Sequence, residues 1–452
     1  MHSRPSLAGS TPPVRGKHRD WLHKLGTLIT VVVSVGMANF VSAQPSPHPL
    51  TLDAALTAAQ SRSASLQAHD AATRAAREMA VSAGRLPDPE LRLSVDNLPI
   101  EGPMRYQIAN DFMTMRSVSL MQTFTGIEKR QARAARYERE AEAVTALKSW
   151  QKTRLLAQTA GAWFDRYFQE QVKDLLMRQR EDAQKVSAAI EAAYRSGRSS
   201  QADVLAARTS LAQIDERLHL ADAELATTRA QLNRWVGDIG ERPLGLLPKI
   251  SHTQQAVHHD IDRHSDIAVI TARERVAQAE ADVAAQEKNA DWSWSLMYSK
   301  RGSQFGDMVS LGVSIPLQWD QTNKQDREYS AKMQLVEQLR FEREEMRREL
   351  LFDLQQLLAN WRGNKNRLAD YDRTLIPLAA ERVQVLEADF RSGKAPLSAV
   401  LEAQRMVTDT RLERLRIEKQ TAAWWVELEY LFSQEQLTSD HPLNHLNPEQ
   451  SP

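Results

Sequence analysis

The side chains of this sequence that could do chemistry are few, and the densest group is four histidines between residues 252 and 264. Imidazole nitrogens bind metal ions and titrate near neutral pH, so these histidines could capture a metal. His258 and His259 are adjacent, however, and would point in different directions on a helix. Neither they nor His252 and His264 form a His-Glu-x-x-His motif. Two interpretations stay open, a surface connector and a weak metal-capture segment.

No other pattern in the chain predicts catalysis. The 452 residues contain no cysteine, which excludes disulfides, thiolate metal sites and a cysteine nucleophile. No phosphate-binding glycine loop, dinucleotide-binding glycine pattern or Gly-x-Ser-x-Gly motif is present. The 58 basic and 58 acidic residues balance, which does not favour binding to nucleic acid. We therefore expect no enzyme activity, no cofactor, no metal site and no nucleic-acid partner.

Residues 1–43 are typical of an export signal. A basic start precedes an apolar run from Leu25 to Val41, which ends in the small-residue cleavage pattern Val41-Ser42-Ala43. The alternative is an uncleaved membrane anchor, but the run contains Gly, Ser and Asn and falls short of the ~20 apolar residues that a spanning helix needs. We expect cleavage after Ala43 and a mature chain in the cell envelope.

The rest of the chain is an internal duplication of one unit of about 200 residues. The residue pattern of each unit predicts a helix, a β-hairpin, a very long helix, a tight turn and a returning helix, in that order. In the first unit, residues 44–252, the strands lie near 90–97 and 117–124, the long helix runs over 128–196 and the turn lies near 194–200. In the second unit, residues 253–432, the strands lie near 291–299 and 308–317, the long helix runs over 321–376 and the turn lies near 390–396. Residues 433–452 are predicted to form a flexible tail.

The two tight turns give the strongest internal match. Tyr194-Arg-Ser-Gly and Phe390-Arg-Ser-Gly lie 196 residues apart, and each is followed by a base and a new helix. Gly197 suits the left-handed position at the end of a helix. Ser200 and Asp203 then have the form of a capping box, with Asp in place of the usual Glu or Gln. Both turns are therefore predicted to reverse a pair of long antiparallel helices.

The four strands alternate in period 2 and carry apolar side chains on one face. Four strands are too few for a closed barrel, which needs ~8 or more, whereas three chains would supply twelve. The fold class we predict is mainly α with a small β part. Duplicated long α-helical hairpins and β-hairpins would assemble as a trimer into a 12-stranded β-barrel continuous with an α-helical barrel. The expected aromatic girdle comprises Phe124, Trp292, Trp294, Tyr298 and Trp319. The alternative is that each hairpin packs on helices as a small soluble sheet.

This arrangement resembles the TolC family of outer-membrane efflux channels over residues 50–432. The resemblance rests on the two-fold repeat with its strand pairs and on the paired Arg-Ser-Gly turns. Leu52-Asp53-Ala54-Ala55-Leu56 is similar to a start common to that family. Gly84-Arg85-Leu86-Pro87-Asp88-Pro89 is similar to a segment of the branch that serves heavy-metal resistance pumps of the RND type.

The resemblance implies a homotrimer in outer-membrane lipid that extends into the periplasm, docked to a periplasmic adaptor protein and an inner-membrane RND pump. It would act as a passive duct that exports small substrates, divalent heavy-metal cations among them. The tips that contact the adaptor would be Arg195, Ser196, Gly197, Arg391, Ser392 and Gly393.

Some members of the family narrow the pore with two acidic residues one helical turn apart after the second tip. Here those positions hold Ala399 and Glu402, so only Glu402 matches, and Asp203 occupies the first position in the other repeat. The resemblance thus implies a pore aperture at Asp203 and Glu402, while a helix cap and a solvated surface residue are the alternative roles. The competing function is a periplasmic coiled-coil scaffold or adaptor without a membrane barrel.

Overall fold

The computed structural model of the chain describes residues 48–248, 250 and 261–432. The predicted signal peptide 1–43, the tail 433–452 and three of the four histidines (His252, His258 and His259) lie outside the described residues. The first unit consists of α1 (Leu52–Arg62), α2 (Ala64–Ala83), β1 (Glu90–Asp96), β2 (Met115–Phe124), α3 (Ile127–Arg195) and α4 (Gln201–Val236). The second consists of α5 (Ser265–Gln286), β3 (Trp292–Lys300), β4 (Met308–Ser314), α6 (Gln325–Asp370), α7 (Ile376–Arg391) and α8 (Leu397–Val426).

The expected fold class is confirmed, because the described chain is mainly helical with one small antiparallel sheet. Helix α3 has 69 residues, which corresponds to ~100 Å at 1.5 Å per residue. Its sequence contains no proline and only one glycine, so nothing in it ends the helix early. The two β-hairpins join into a single sheet in the order β1-β2-β3-β4. The closed barrel predicted for a trimer stays a prediction.

Three predicted elements differ from the structure, and one of them is the long helix predicted over 321–376, which begins at Gln325 as α6. The first helix is interrupted at Ser63, whose extended backbone ends α1 and whose hydroxyl accepts a hydrogen bond from the backbone N–H of Leu66. Serine competes for backbone groups in this way, which the alanine-rich pattern did not reveal. Strand β4 ends at Ser314 instead of residue 317. Ile315 and Leu317 therefore continue the apolar alternation beyond the strand.

Helices α6 and α7 are joined by a wider helical turn just before Pro377. Residues Tyr371–Leu375 form a π-helical segment between α6 and α7, and Pro377 lies in the first turn of α7. Proline has no N–H to donate to the preceding turn, and a π-bulge is one way in which a helix absorbs that loss. Helices α6 and α7 thus continue one another.

The main core lies where both units meet. Trp163, Phe164 and Phe168 of α3 pack against Leu232 and Val236 of α4 and against Trp425 and Tyr430 near the end of the second unit. The indole Nε1 of Trp163 donates to the Leu50 carbonyl oxygen at 3.0 Å. The buried Arg166 donates to the carbonyl oxygens of Gly240 and Arg242 and holds the connector that follows α4. Within the described residues, no helix is long and apolar enough to span a membrane.

Candidate functional site

The strand register places the leucine, valine and aromatic side chains of all four strands on one face of the sheet, together with Arg116, Gln122 and Lys300. Leu120 pairs with Leu91 on one side and with Leu296 on the other, and Leu296 pairs with Leu311. Because side chains alternate along a strand, residues paired in register point to the same face. The apolar face therefore contains Leu91, Leu93, Val95, Val118, Leu120, Phe124, Trp292, Trp294, Leu296, Tyr298, Val309, Leu311 and Val313.

This apolar face is not covered by helices. Leu93 is 71% exposed and Leu311 is 74% exposed, and the apolar residues on the two strands between them are 40–46% exposed, namely Val118, Leu120, Leu296 and Tyr298. A soluble sheet would bury such a face against another layer, and a contiguous exposed apolar patch marks an interaction surface. Within the described residues, the helices therefore do not cover this face as they would cover that of a small soluble sheet.

The predicted girdle residues occupy different places on the sheet. Phe124 and Trp292 are paired in register where the strands meet the helices, and their rings stack with centroids 4.7 Å apart. Trp294 is the next residue on the same face. Tyr298 lies near the other end of β3, and its hydroxyl donates to Asp307. Trp319 is 88% exposed and lies beyond the end of β4, so it belongs to the following turn and not to the strand.

The opposite face of the sheet carries polar side chains together with Met115, Met121, Met297 and Met308, and several of its polar groups are hydrogen-bonded to one another. The Ser117 hydroxyl donates to Asp96 Oδ2 at 2.6 Å and lies 2.9 Å from the Ser299 hydroxyl. Ser94 also donates to Asp96. Ser117 and Ser299 are buried, so the two hairpins are joined by side chains as well as by backbone.

An ion-pair cluster that the sequence did not reveal fixes the sheet to the helices. Lys129, at the start of α3, is 3% exposed and lies 3.1 Å from Glu287 and 3.0 Å from Asp291. Arg133 reaches Glu287 at 2.6 Å. Burial would raise the pKa of Glu287, but hydrogen bonds from Arg133 and Lys129 outweigh it and hold the pKa below its ordinary value. About 160 residues separate the partners in sequence, which is why no local pattern predicts the cluster.

The two tips have the same backbone geometry. In the first, the N–H of Arg198 donates to the Ala193 carbonyl at 2.8 Å and that of Gly197 to the Tyr194 carbonyl at 2.9 Å. The N–H groups of Lys394 and Gly393 donate to the carbonyls of Asp389 and Phe390 in the second. This is the Schellman motif, which needs a left-handed residue. Gly197 and Gly393 fill that position with φ of 72° and 76°.

The tips also pack against each other. Ile190 and Val204 of the first helical hairpin form a small core with Leu397 of the second, and Phe390 and Leu401 pack on it. About one helical turn further from the first tip, Arg208 forms an ion pair with Glu191 at 2.8 Å. At the corresponding position of the second unit, Gln404 donates a hydrogen bond to Glu387 at 3.1 Å. The six predicted contact residues are all solvent-exposed: Arg195, Ser196, Gly197, Arg391, Ser392 and Gly393.

Of the two predicted aperture residues, Asp203 is engaged in a helix cap. Its carboxylate accepts hydrogen bonds from the Ser200 hydroxyl and N–H and from the Ser199 hydroxyl, and Ser200 in turn caps the Asp203 N–H. The bonds from Ser200, and then that from Ser199, lower the pKa of Asp203. The capping box is therefore present, and the carboxylate stays ionised at neutral pH.

Glu402 is exposed in a groove between α7 and α8, beside Leu378 and Arg382. Among the described contacts, none joins Glu402 to Asp203 within one chain. If the two act together at an aperture, copies of the chain must bring them together.

The one described histidine of the predicted group, His264, caps the start of α5 and is buried. Within the described residues, no group of three or more histidine or carboxylate side chains is placed to hold a metal ion. The metal-capture interpretation also involves His252, His258 and His259, which lie outside the described residues.

No protein-family model matches this chain, and no curated protein matches it significantly in sequence. Solved structures of bacterial outer-membrane proteins share its fold. VceC of Vibrio cholerae has a TM-score of 0.68 at 16% identity, over 84% of this chain and 96% of its own. CusC has a TM-score of 0.70 at 15% identity, over 85% and 92%. The CmeC channel of Campylobacter jejuni has 0.69 at 10% identity, over 84% and 85%. The fold implied by the resemblance to the TolC family is therefore confirmed.

Proposed function

We propose that three copies of this chain form an outer-membrane channel, a passive duct that exports small substrates. The observation that carries the proposal is the sheet, which leaves its apolar face exposed and both outer strands unpaired on one side within the described chain. Such edges invite pairing with another strand. The shared fold supports the proposal, since VceC and CmeC are outer-membrane proteins.

Strand order explains how three copies would use these edges. In an antiparallel sheet of four strands, β1 and β4 run in opposite directions, so β4 of one copy can pair with β1 of the next in the same antiparallel sense. Three copies give twelve strands, which is within the range of ~8–26 known for outer-membrane barrels.

The aromatic residues fit two membrane interfaces. Trp292 and Tyr298 are six residues apart on one face of β3, which corresponds to ~20 Å along a strand. Outer-membrane barrels place aromatic girdles on either side of an apolar band ~25 Å tall. Leu296 and its neighbours would then contact lipid, and the Ser117–Ser299 face would line the interior.

The exposed tips are proposed to dock a periplasmic adaptor protein, which would connect the channel to an inner-membrane pump of the RND type. Rings of Asp203 and Glu402 contributed by three copies would repel one another and attract cations. That charge is compatible with divalent metal cations as cargo, as the resemblance to the heavy-metal branch implies. The substrate itself would be chosen by the pump.

The rival function is a periplasmic scaffold without a barrel. A scaffold gains nothing from an apolar face that includes Leu311 at 74% exposure, because that face would promote aggregation. Recovery of the mature chain as a soluble periplasmic monomer would establish the scaffold and refute the channel.

Two adjacent residues of β4 test the channel directly. Leu311→Arg places a charge on the proposed lipid face, where it costs ~2–4 kcal/mol at the bilayer midplane and less near the interfaces. Ser310→Arg places the same charge on the opposite face and is the matched control. We expect heat-resistant trimers in outer-membrane fractions for the wild type and Ser310→Arg, and fewer for Leu311→Arg. Equal trimer yields would contradict the assignment of faces.

Tip function and cargo need separate measurements. Gly197→Val or Gly393→Val should impair adaptor cross-linking and efflux while trimers still form. If assembly is lost instead, the tips are structural only. Drug and metal susceptibility of a deletion strain tests the cargo, and unchanged metal tolerance would exclude metal export.

A further inference from the structure

Two positive charges lie side by side on the otherwise apolar face of the sheet. Arg116 of β2 and Lys300 of β3 are partners in register, and both belong to the face that carries Val118, Leu120 and Leu296. Both side chains are exposed. Like charges directly opposite each other destabilise a pair of strands. A negative group that lies between the two would relieve that repulsion.

The chain itself does not supply this negative group within the described residues, where neither cation forms an ion pair. The carboxylates at this end of the sheet have other partners. Asp96 accepts hydrogen bonds from two serine hydroxyls on the opposite face. Asp111 accepts from two backbone N–H groups of its own loop, and Asp307 accepts from the Tyr298 hydroxyl. The negative group must therefore come from another molecule.

The Arg116–Lys300 pair lies at the end of the sheet that is far from the helices. Trp292 stacks on Phe124 where the strands meet the helices, and Lys300 lies eight residues further along β3. That separation is ~26 Å along the strand. Strands of outer-membrane barrels tilt by ~35–45°, so the height gained is ~20 Å, close to the ~25 Å of the apolar band. A lipid-facing charge costs little at this boundary, because a long side chain can extend toward the headgroups.

A neighbouring copy of the chain would leave the pair open. The strands proposed to pair between copies are β1 and β4, whereas Arg116 and Lys300 lie on the two inner strands. On the side toward the helices, the pair is followed by Val118 and Tyr298, which are exposed and belong to the same face. A ligand that fits this surface has a negative group at the level of the two cations and apolar groups beside it.

We infer that Arg116 and Lys300 bind the phosphate group of a lipid in the outer leaflet of the membrane. A guanidinium can donate two parallel hydrogen bonds to a phosphate, and an ammonium adds a compact positive charge. The acyl chains of the same lipid would lie along Val118, Leu120 and Leu296. Basic side chains at a membrane surface attract anionic headgroups in the same way. The inference rests on the proposed channel function, because only a membrane-spanning sheet reaches the outer leaflet.

A free phosphate ion fits this surface less well than a lipid does. Inorganic phosphate would use the two cations but leave the exposed apolar side chains beside them in water. A lipid covers those side chains and neutralises the cations at once, so burial of apolar surface adds to the ionic contact. The affinity for a phospholipid should therefore exceed that for the free ion.

The test measures lipid binding by isothermal titration of the purified full-length protein in a nonionic detergent. The probe is dioleoylphosphatidic acid in mixed micelles. Dioleoylglycerol, which has the same acyl chains without the phosphate, is the matched ligand control, and sodium phosphate tests the free ion. Two basic contacts at ~1 kcal/mol each correspond to an affinity for phosphatidic acid about tenfold or more above that for dioleoylglycerol. Both cations belong to one chain, so the titration does not require a trimer.

Three variants locate the site. Arg116→Gln and Lys300→Gln each remove one charge, and each should weaken the binding of phosphatidic acid by about five-fold. Arg92→Gln is the matched control, because Arg92 is an exposed arginine on the opposite face of the sheet. It should leave the affinity unchanged.

A second measurement separates lipid binding from a structural role of the two cations. Without lipid, the double variant Arg116→Gln/Lys300→Gln should have a thermal midpoint no lower than that of the wild type, because the repulsion between like charges is removed. With phosphatidic acid, the midpoint of the wild type should rise by more than that of the double variant, since a ligand stabilises the state that binds it.

Three results would overturn the inference. They are equal affinity for phosphatidic acid and dioleoylglycerol, wild-type affinity in the double variant, and binding of sodium phosphate as tight as that of phosphatidic acid. Recovery of a soluble monomer in place of heat-resistant trimers would refute the channel and, with it, the outer-leaflet position. Trimers without a preference for phosphate would refute this inference alone.

Discussion

The two tip glycines allow the most exact prediction. Gly197 and Gly393 have φ of 72° and 76°, and a Cβ added to either would meet no atom within 4 Å. The cost of an alanine there is therefore torsional and not steric. A non-glycine residue in the left-handed region costs ~1–2 kcal/mol. Loss of glycine's freedom in the unfolded chain offsets ~0.4–1 kcal/mol of this.

At the midpoints of these two ranges, the net cost of Gly197→Ala or Gly393→Ala is about 0.8 kcal/mol of local stability. At RT of about 0.59 kcal/mol, that corresponds to about a four-fold faster opening of the tip. Hydrogen–deuterium exchange by mass spectrometry can measure it on the N–H groups of Arg198 and Lys394, which the Schellman bonds protect.

Gly363→Ala is the matched control. Gly363 lies inside α6 without a left-handed φ, and a Cβ there also meets no atom within 4 Å. The same substitution should stabilise α6 by about 0.5–1 kcal/mol, because glycine is a poor helix former. The two tips and the control should therefore change in opposite directions. If all three alanine variants changed exchange equally, the left-handed turns would not be the cause.

The remaining predictions concern the cap and the buried ion pairs. Ser200→Ala should cost about 1 kcal/mol in thermal denaturation, because the cap on the Asp203 N–H is lost. The folded chain lowers the pKa of Asp203, so the ionised carboxylate stabilises the folded state fully above about pH 4. This stabilisation is lost as pH falls through the depressed value, where denaturation midpoints of wild type and Asp203→Asn should converge. Combined Glu287→Gln and Asp291→Asn should cost ~3–5 kcal/mol by leaving Lys129 buried without a partner, and Lys129→Met should cost less.

Local patterns predicted much of the fold because its elements are long and strongly periodic. The returning helix of the first unit was predicted to follow the tight turn near 194–200, and α4 spans Gln201–Val236. Uninterrupted helix-forming residues and a Ser200 cap determine those limits without help from distant residues. The alternation in Glu90–Asp96 likewise predicted the strand and its apolar side.

Where the sequence-based prediction was wrong or incomplete, the deciding interaction was either a weak local contact or a contact between residues far apart in the chain. Ser63 divides the first helix by a single hydroxyl contact, and β4 ends three residues early although its apolar alternation continues. For the site, the sequence identified the tip residues and the Ser200–Asp203 cap. It did not reveal Lys129, whose partners Glu287 and Asp291 lie in the other unit.

The sequence by itself determined the duplication, the turn chemistry at Gly197 and Gly393 and the apolar side of each strand, because these depend on residue type and short spacing. Only the tertiary structure decided that the two hairpins form one sheet, that its apolar face stays exposed, and that Arg116 and Lys300 lie side by side on that face. The reason is physical, since register between strands and burial of a side chain depend on contacts between segments about 180 residues apart in the chain. No local pattern records those contacts.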